Sequence, residues 1–146
     1  MLEDDIFTSL IALVTFFNKP SRDKKMVENA HINLDPTAFP IFVGIARMQP
    51  TSVGNLADTV GKNHSSVSRQ IDKLEKQGLV QTYYSVDDAR IRLTELTKHG
   101  KRFNNLINET RRQVMREALN DWSDKEKLEL KVNLNHLAET MSNIPE

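Results

Sequence analysis

The stretch that decides the fold is NHSSVSRQIDKLEKQGLVQTYYSVDDAR, residues 63–90. Its first half carries Val67, Ile71 and Leu74 at spacings of four and three residues, so these side chains share one face of a helix. The opposite face is polar and charged. The following run, LVQTYY, has the β-branched and aromatic residues of a strand and leads into a polar turn. The stretch therefore predicts an amphipathic helix, a strand and the tip of a β-hairpin.

A second short helix is predicted just before this stretch. Ser52 starts the predicted helix SVGNLADTV, and a tight turn at residues 61–63 leads into the next helix. Asn63 is a suitable N-cap for that helix, and Gly78 fits the left-handed residue that follows a helix end. Two short helices joined by a glycine-containing turn are typical of a helix-turn-helix, and strands on both sides of the turn at 87–90 add a wing. The pattern predicts a winged helix-turn-helix, whose second helix enters the major groove of DNA.

Both ends of the chain carry apolar helices that a small winged core does not need. Residues 4–18 predict a helix with two apolar stripes, and such a helix is buried on two sides. The last helix opens with a capping box of Ser123 and Glu126, and its apolar residues recur at four-three spacing, as in a coiled coil. We interpret both helices as the interface of a homodimer; burial of the first helix within a monomer is the alternative. The predicted dimerisation residues are Ile6, Leu10, Leu13, Phe17, Leu130, Leu134, Leu137 and Met141.

The segment between the first helix and the helix-turn-helix is less regular. Residues 19–33 are polar and predict a loop or a short helix. Asp35 and Pro36 predict the N-cap and first residue of a helix that ends at Gln49 and Pro50.

These elements together predict a mainly α-helical fold with a small β-wing. We expect a single domain of residues 1–146. Residues 35–100 would form the winged helix-turn-helix core, flanked by N- and C-terminal dimerisation helices in residues 1–34 and 101–146.

Composition limits the classes of function. The chain has 20 basic and 20 acidic residues, but residues 62–102 carry nine basic and five acidic side chains, which fits a local surface facing phosphates. There is no cysteine, which excludes thiol catalysis, thiol redox sensing and cysteine-ligated zinc. No apolar run approaches about 18 residues, so no membrane span is predicted. We therefore expect a cytoplasmic protein.

The segment LADTVGKNHSSVSRQIDKLEKQGLVQTYYSVDDARIRLTELTKHG resembles the MarR family of bacterial winged-helix regulators. The resemblance implies a homodimer whose first and last helices form the interface, with recognition helices in the major groove and wing tips at the minor groove. It also implies a transcriptional regulator, usually a repressor, that senses a small and often aromatic molecule. The wing has Asp-Ala-Arg where many members have Asp-Arg-Arg, so one basic contact is expected to be missing. The residues that carry the resemblance are Leu56, Ala57, Gly61, Ser65 to Arg69, Leu74, Gly78 to Val80, Asp88, Arg90, Leu96, Thr97 and Gly100.

Arg69 is the main candidate for reading a base, because its guanidinium can bridge O6 and N7 of guanine, a contact worth about 1–3 kcal/mol. Small serines near the helix start allow close approach to DNA. Arg90 is the candidate for the minor groove, which attracts arginine where it is narrow, and Asp88 is expected to hold Arg90 in place. Solvated surface residues and an ordinary surface ion pair are the alternatives. The predicted DNA-binding residues are Lys62, His64, Ser65, Ser66, Ser68, Arg69, Lys73, Asp88 and Arg90.

Nothing in the sequence indicates an enzyme. It has no glycine-rich phosphate loop, no nucleophile next to a base and no paired acids in a recognisable context. The four histidines lack metal-ligand spacing, so no metal and no cofactor are expected. Four phenylalanines are interpreted as core residues, with the lining of an aromatic effector pocket as the alternative. They are Phe16, Phe17, Phe39 and Phe42.

Two functions are consistent with these observations. The first is a dimeric, sequence-specific DNA-binding transcription regulator, which reads a pseudo-palindromic operator with two recognition helices about 34 Å apart. The alternative is a winged-helix protein-interaction module that does not bind DNA. Its associations would be insensitive to salt and to the loss of Arg69, unlike DNA binding.

Overall fold

The computed structural model describes residues 1–146 as seven α-helices and a three-stranded antiparallel sheet, which confirms the predicted fold class. Contacts divide the chain into two compact units, Met1–Thr110 and Arg111–Glu146. The sequence-based division into a core and dimerisation segments remains a prediction. The elements are α1 (Leu2–Phe17), α2 (Pro20–Asn29), α3 (Phe39–Met48), β1 (Thr51–Ser52), α4 (Val53–Val60), α5 (His64–Lys76), β2 (Val80–Tyr84), β3 (Arg92–Leu96), α6 (Lys98–Ala118) and α7 (Asp124–Ser142), with the strands in the order β1-β3-β2.

The core of the first unit lies where α3, α4 and α5 pack on one another and on the sheet. The four-three spacing in α5 buries Val67, Ile71 and Leu74 completely, as predicted. From α3, Phe42 and Ile45 are also completely buried. Because every turn of α5 has an apolar side chain in this core, the helix has a fixed orientation and presents its opposite face to solvent.

The helix-turn-helix has the predicted ends. The side-chain oxygens of Ser52 and Asn63 accept hydrogen bonds from backbone amides three residues later, at 3.2 Å and 2.8 Å, and so cap α4 and α5. Gly61 and Gly78 follow these helices with φ of +69° and +74°, a conformation that favours glycine. The turn between the helices and the exit towards the wing are therefore both encoded locally.

Helix α3 begins three residues later than predicted. The Oδ1 atom of Asp35 accepts hydrogen bonds from the backbone N and the Oγ1 of Thr37, both at 2.9 Å. The backbone N of Ala38 donates to the carbonyl of Asp35, also at 2.9 Å. These bonds close a turn over residues 36–38, so Asp35 caps that turn and the helix itself begins at Phe39.

Three other features differ from the sequence-based expectation or refine it. The polar segment 19–33 contains a helix, α2, whereas the sequence left a loop open. Strand β1 was not predicted; it has two residues and pairs with β3 through Thr51 and Thr94. On β2, Tyr83 and Tyr84 are both exposed. They lie at the outer end of the strand, whereas Val80 at its base is buried.

Gly100 allows α6 to begin directly against the chain before β2. A Cβ atom at this position would lie 2.0 Å from the carbonyl oxygen of Leu79, which is backbone and cannot rotate away. We expect Gly100→Ala to lower the free energy of unfolding by about 2 kcal/mol or more, because the backbone must shift.

Gly54→Ala is the matched control for this prediction. A Cβ atom at Gly54 would meet nothing closer than 3.5 Å, the distance to the His64 ring. Because Gly54 lies inside α4, we expect Gly54→Ala to leave the free energy of unfolding unchanged or to raise it by up to about 1 kcal/mol. Urea denaturation of both variants is the measurement, and equal stabilities would contradict the prediction.

Candidate nucleic-acid interface

Helix α5 and the turn before it bring together the residues predicted to read DNA. Ser66 and Ser68 are half-buried at the edge of the exposed face. This face combines basic side chains with small hydroxyl groups, an arrangement that fits close approach of a helix to a groove. The exposed members of the predicted set on α5 and the turn before it are Lys62, His64, Ser65, Arg69 and Lys73.

Two of the lysines have carboxylates of neighbouring elements close by. Burial raises the pKa of Asp23 in α2, and the positive charge of Lys62 partly opposes this rise. Hydrogen bonds from Thr37 lower the pKa of Asp35, with a smaller contribution from the charge of Lys73. Each lysine thus has an acidic neighbour within the chain, which reduces the positive potential that it offers to a phosphate.

The wing continues directly from α5. Strands β2 and β3 are paired without a bulge, from Val80 opposite Leu96 at the base to Tyr84 opposite Arg92 at the outer end. The turn at residues 85–91 joins them and carries the acidic and basic residues of the predicted wing tip.

The predicted interaction between Asp88 and Arg90 is present. The Nε and Nη2 atoms of Arg90 donate to Oδ1 and Oδ2 of Asp88, both at 3.1 Å, and the backbone N of Arg90 donates to Oδ1 at 3.0 Å. The side chain of Arg90 is nevertheless 89% exposed. Asp88 therefore orients the guanidinium without withdrawing it from solvent.

This pairing makes the wing tip sensitive to acid. Hydrogen bonds from the side chain and then the backbone of Arg90 lower the pKa of Asp88 from its ordinary value of 3.8. Because the folded-state pKa is depressed, the pairing is fully present above the ordinary pKa and is lost as the pH falls through the folded-state value. We expect ¹³C NMR of the Asp88 carboxyl group to give a midpoint below 3.8. In Arg90→Ala the midpoint should rise, and an unchanged midpoint would contradict the prediction.

A group of polar side chains joins the wing to α5, and the sequence did not reveal it. The Nη2 atom of Arg92 on β3 lies 3.1 Å from Oδ1 of Asp72, 3.7 Å from Oε2 of Glu75 and 3.3 Å from Oγ1 of Thr82. The hydroxyl of Thr82 also donates to Glu75. The sequence shows the two acids at spacing three on α5. Arg92 reaches them only because the β2–β3 hairpin packs against α5 through β2.

The residues predicted to mediate dimerisation form apolar surface in the single chain. No residue of α1 or α7 is buried. Leu10, Leu130 and Leu137 are half-buried. The exposed members of the set are Ile6, Leu13, Phe17, Leu134 and Met141.

The four phenylalanines do not share one environment. Phe39 and Phe42 belong to the core, which confirms that interpretation for them. Phe16 and Phe17 are exposed on α1, with their ring centroids 5.2 Å apart, so the core interpretation is wrong for this pair. The apolar surface of α1 is consistent with a helix that packs outside the core.

Other parts of the molecule show fewer features of a binding site. A cleft of about 440 Å³ at the base of the wing has a lining that includes Gln49, Gln81, Glu95, Lys98 and Lys101.

No group of three or more His, Cys, Asp or Glu side chains is arranged to hold a metal ion. None of the helices combines the length and the apolar character needed to cross a membrane.

The short helix pair, the exposed second helix and the adjoining hairpin define a winged helix-turn-helix protein. The sequence profile described as the MarR family matches residues 32–91. The HTH-type transcriptional regulator YxaD of Bacillus subtilis (strain 168) is 27% identical over 95 residues, which are 65% of this chain and 66% of that protein. The chain thus spans slightly less than two thirds of this relative.

Solved structures have the same fold. A MarR family protein from Bacillus stearothermophilus superposes with a TM-score of 0.75 at 21% identity, over 96% of this chain and 98% of the other. The transcriptional regulator BldR from Sulfolobus solfataricus superposes with a TM-score of 0.70 at 25% identity, over 99% of each chain. Over residues 32–91 the chain is therefore similar to the MarR family, and over most of its length it has the fold of a solved MarR family protein.

Proposed function

We propose that the chain is a homodimeric repressor that binds double-stranded DNA and reads a pseudo-palindromic operator. The observation that carries this proposal is the exposed face of α5, which has Arg69 on it and a completely buried stripe behind it. A helix held in this way presents its side chains at fixed positions, as sequence-specific contact requires.

The proposed contacts divide between the two grooves. Arg69 and the serines of α5 contact base edges in the major groove, while Lys62, His64 and Lys73 contact phosphates. Arg90, oriented by Asp88 and largely exposed, enters the minor groove. The excess of basic residues in 62–102 supports this assignment, because phosphate contacts supply much of the affinity of DNA-binding proteins.

The proposed dimer is supported by the apolar surface of α1 and α7. In the single chain, large side chains such as Phe17, at 62% exposure, face solvent along these helices. Several large apolar side chains exposed along one helix mark an interaction site. A second copy related by a two-fold axis would cover it and set two α5 helices about one DNA turn, roughly 34 Å, apart.

Two further parts of the proposal rest on the similarity to the MarR family. They are release from DNA by a small aromatic molecule and action in the cytoplasm. Loss of duplex binding on addition of phenols or aromatic carboxylates would support the first part. Binding that no member of such a panel changes would count against it.

The salt dependence of duplex binding tests the proposal. Fluorescence anisotropy with a labelled duplex of mixed sequence would be measured between low and physiological salt. We expect log K to fall steeply and linearly with log[salt], since each phosphate contact releases counterions. Absent binding at low salt, or association that salt does not change, would contradict DNA binding and favour a protein partner.

A further inference from the structure

Helix α5 is held to the core on the side away from the wing. The Nε2 of Gln70 donates to the Oγ1 of Thr37 at 3.5 Å, and the Nε2 of Gln77 donates to the carbonyl of Asn33 at 3.4 Å. Together with the buried stripe of α5, these contacts leave the helix few ways to move. Helix α5 is therefore the reference against which the orientation of the wing is described.

The wing has two attachments to this fixed helix. At its base, Leu79, Val80 and Leu96 are buried in the core. Further out, Arg92 is the side chain of β3 that reaches α5, and a single atom, Nη2, contacts acceptors on both α5 and β2. Opposite Arg92 and beyond it the ribbon is exposed, with Tyr84 and Val86 facing solvent. Among the contacts described above between the wing and α5, those of Arg92 lie farthest from the base of the wing.

The angle of the wing relative to α5 determines where Arg90 lies relative to Arg69. Arg90 is two residues from Arg92 in the same hairpin, and Asp88 fixes its side chain on the tip. A small rotation about the wing base would move the tip most, because the tip is farthest from the buried attachment.

We propose that Arg92 is a positioning residue: through Asp72, Glu75 and Thr82 it fixes the wing on α5 and so sets the geometry with which Arg69 and Arg90 engage DNA together. Arg92 is not itself assigned a DNA contact. The inference rests on the proposed function, and it names the element of the chain that links major-groove and minor-groove recognition.

A double-mutant cycle on duplex affinity tests this inference. If Arg92 positions the wing, the contribution of Arg90 depends on it. We expect Arg90→Ala to lower affinity about tenfold in the native chain but about twofold or less in Arg92→Gln, a coupling within the range seen for residues of one network. Equal effects of Arg90→Ala in both backgrounds would overturn the proposal.

A second variant distinguishes a positioning role of Arg92 from an effect of its charge on DNA affinity. Asp72→Ala/Glu75→Ala removes the acceptors on α5 and raises the net charge, whereas Arg92→Gln lowers it. Positioning predicts the same loss of the Arg90 contribution in both backgrounds. A simple charge effect predicts opposite changes in overall affinity with the Arg90 contribution intact, and that result would overturn the proposal.

A measurement without DNA distinguishes failure of this inference from failure of the proposed function. The chain has no cysteine, so spin labels attach only at introduced positions, here Lys76→Cys on α5 and Ala89→Cys on the wing tip. Labelled chain diluted into unlabelled chain reports the distance within one subunit. We expect Arg92→Gln to broaden or shift the distribution.

An unchanged distribution would overturn the inference even if the native chain binds DNA. A native chain that binds no duplex would overturn the proposed function, and with it the role of Arg92 in recognition, whatever the distances show.

Discussion

Leu134→Glu is expected to convert the protein to monomers and to lower its affinity for a two-fold symmetric duplex by about 10²- to 10⁴-fold, the factor by which linked binding exceeds single-site binding. Leu134 lies in the four-three apolar repeat of α7 and is exposed in the single chain. A charge placed there would have to be buried without a partner in a dimer, which is strongly unfavourable. Glutamate is a good helix former, so α7 itself is expected to persist.

Asn135→Glu is the matched control. It adds the same charge to the next residue of α7, which is exposed and lies outside the apolar repeat. Sedimentation velocity and duplex binding would be measured for both variants. A Leu134→Glu protein that stays dimeric, or a control that dissociates to the same extent, would contradict the assignment of α7 to the interface.

Arg69→Ala is expected to lower affinity for the preferred duplex by about 5- to 150-fold, the equivalent of the 1–3 kcal/mol of a bidentate contact with guanine. Affinity for unrelated duplexes should change much less, because the lost contact reads a base. The discrimination between the two duplexes is therefore the quantity that falls. It would be measured by competition binding at one salt concentration.

Lys73→Ala provides the comparison for Arg69→Ala. Lys73 lies one turn further along α5 and is assigned to a phosphate. Its loss is expected to weaken binding to all duplexes alike and to reduce the salt slope by about one. If Arg69→Ala behaved like Lys73→Ala, Arg69 would be a phosphate contact and not a base-reading residue.

The parts of the fold that the sequence predicted are those encoded locally. The buried stripe of α5 follows from the spacing of three apolar residues, and the ends of α4 and α5 follow from Ser52, Asn63 and Gly78. Asp88 and Arg90 are two residues apart, so their interaction could also be predicted from the sequence. In each case the groups that interact are close in the chain, so their types and spacing were sufficient.

The features that were missed depend on contacts between distant segments. Strand β1 is too short to show a period and exists because Thr51 pairs with Thr94. Arg92 acquires its role only because the β2–β3 hairpin packs against α5, which brings it to Asp72, 20 residues away in the chain. The late start of α3 has a different cause. An aspartate such as Asp35 can cap a helix or stabilise a turn, and its hydrogen bonds from Thr37 stabilise the turn.

The central claim is that this chain reads a symmetric DNA sequence as a dimer. Its most direct test is selection of bound molecules from a pool of random duplexes with the purified native protein at low and physiological salt. We predict enrichment of a roughly two-fold symmetric site whose half-site centres lie about 10 base pairs apart, as two recognition helices of one dimer require. A pool that remains unenriched at both salt concentrations, or that yields only a single unpaired half-site, would contradict this claim.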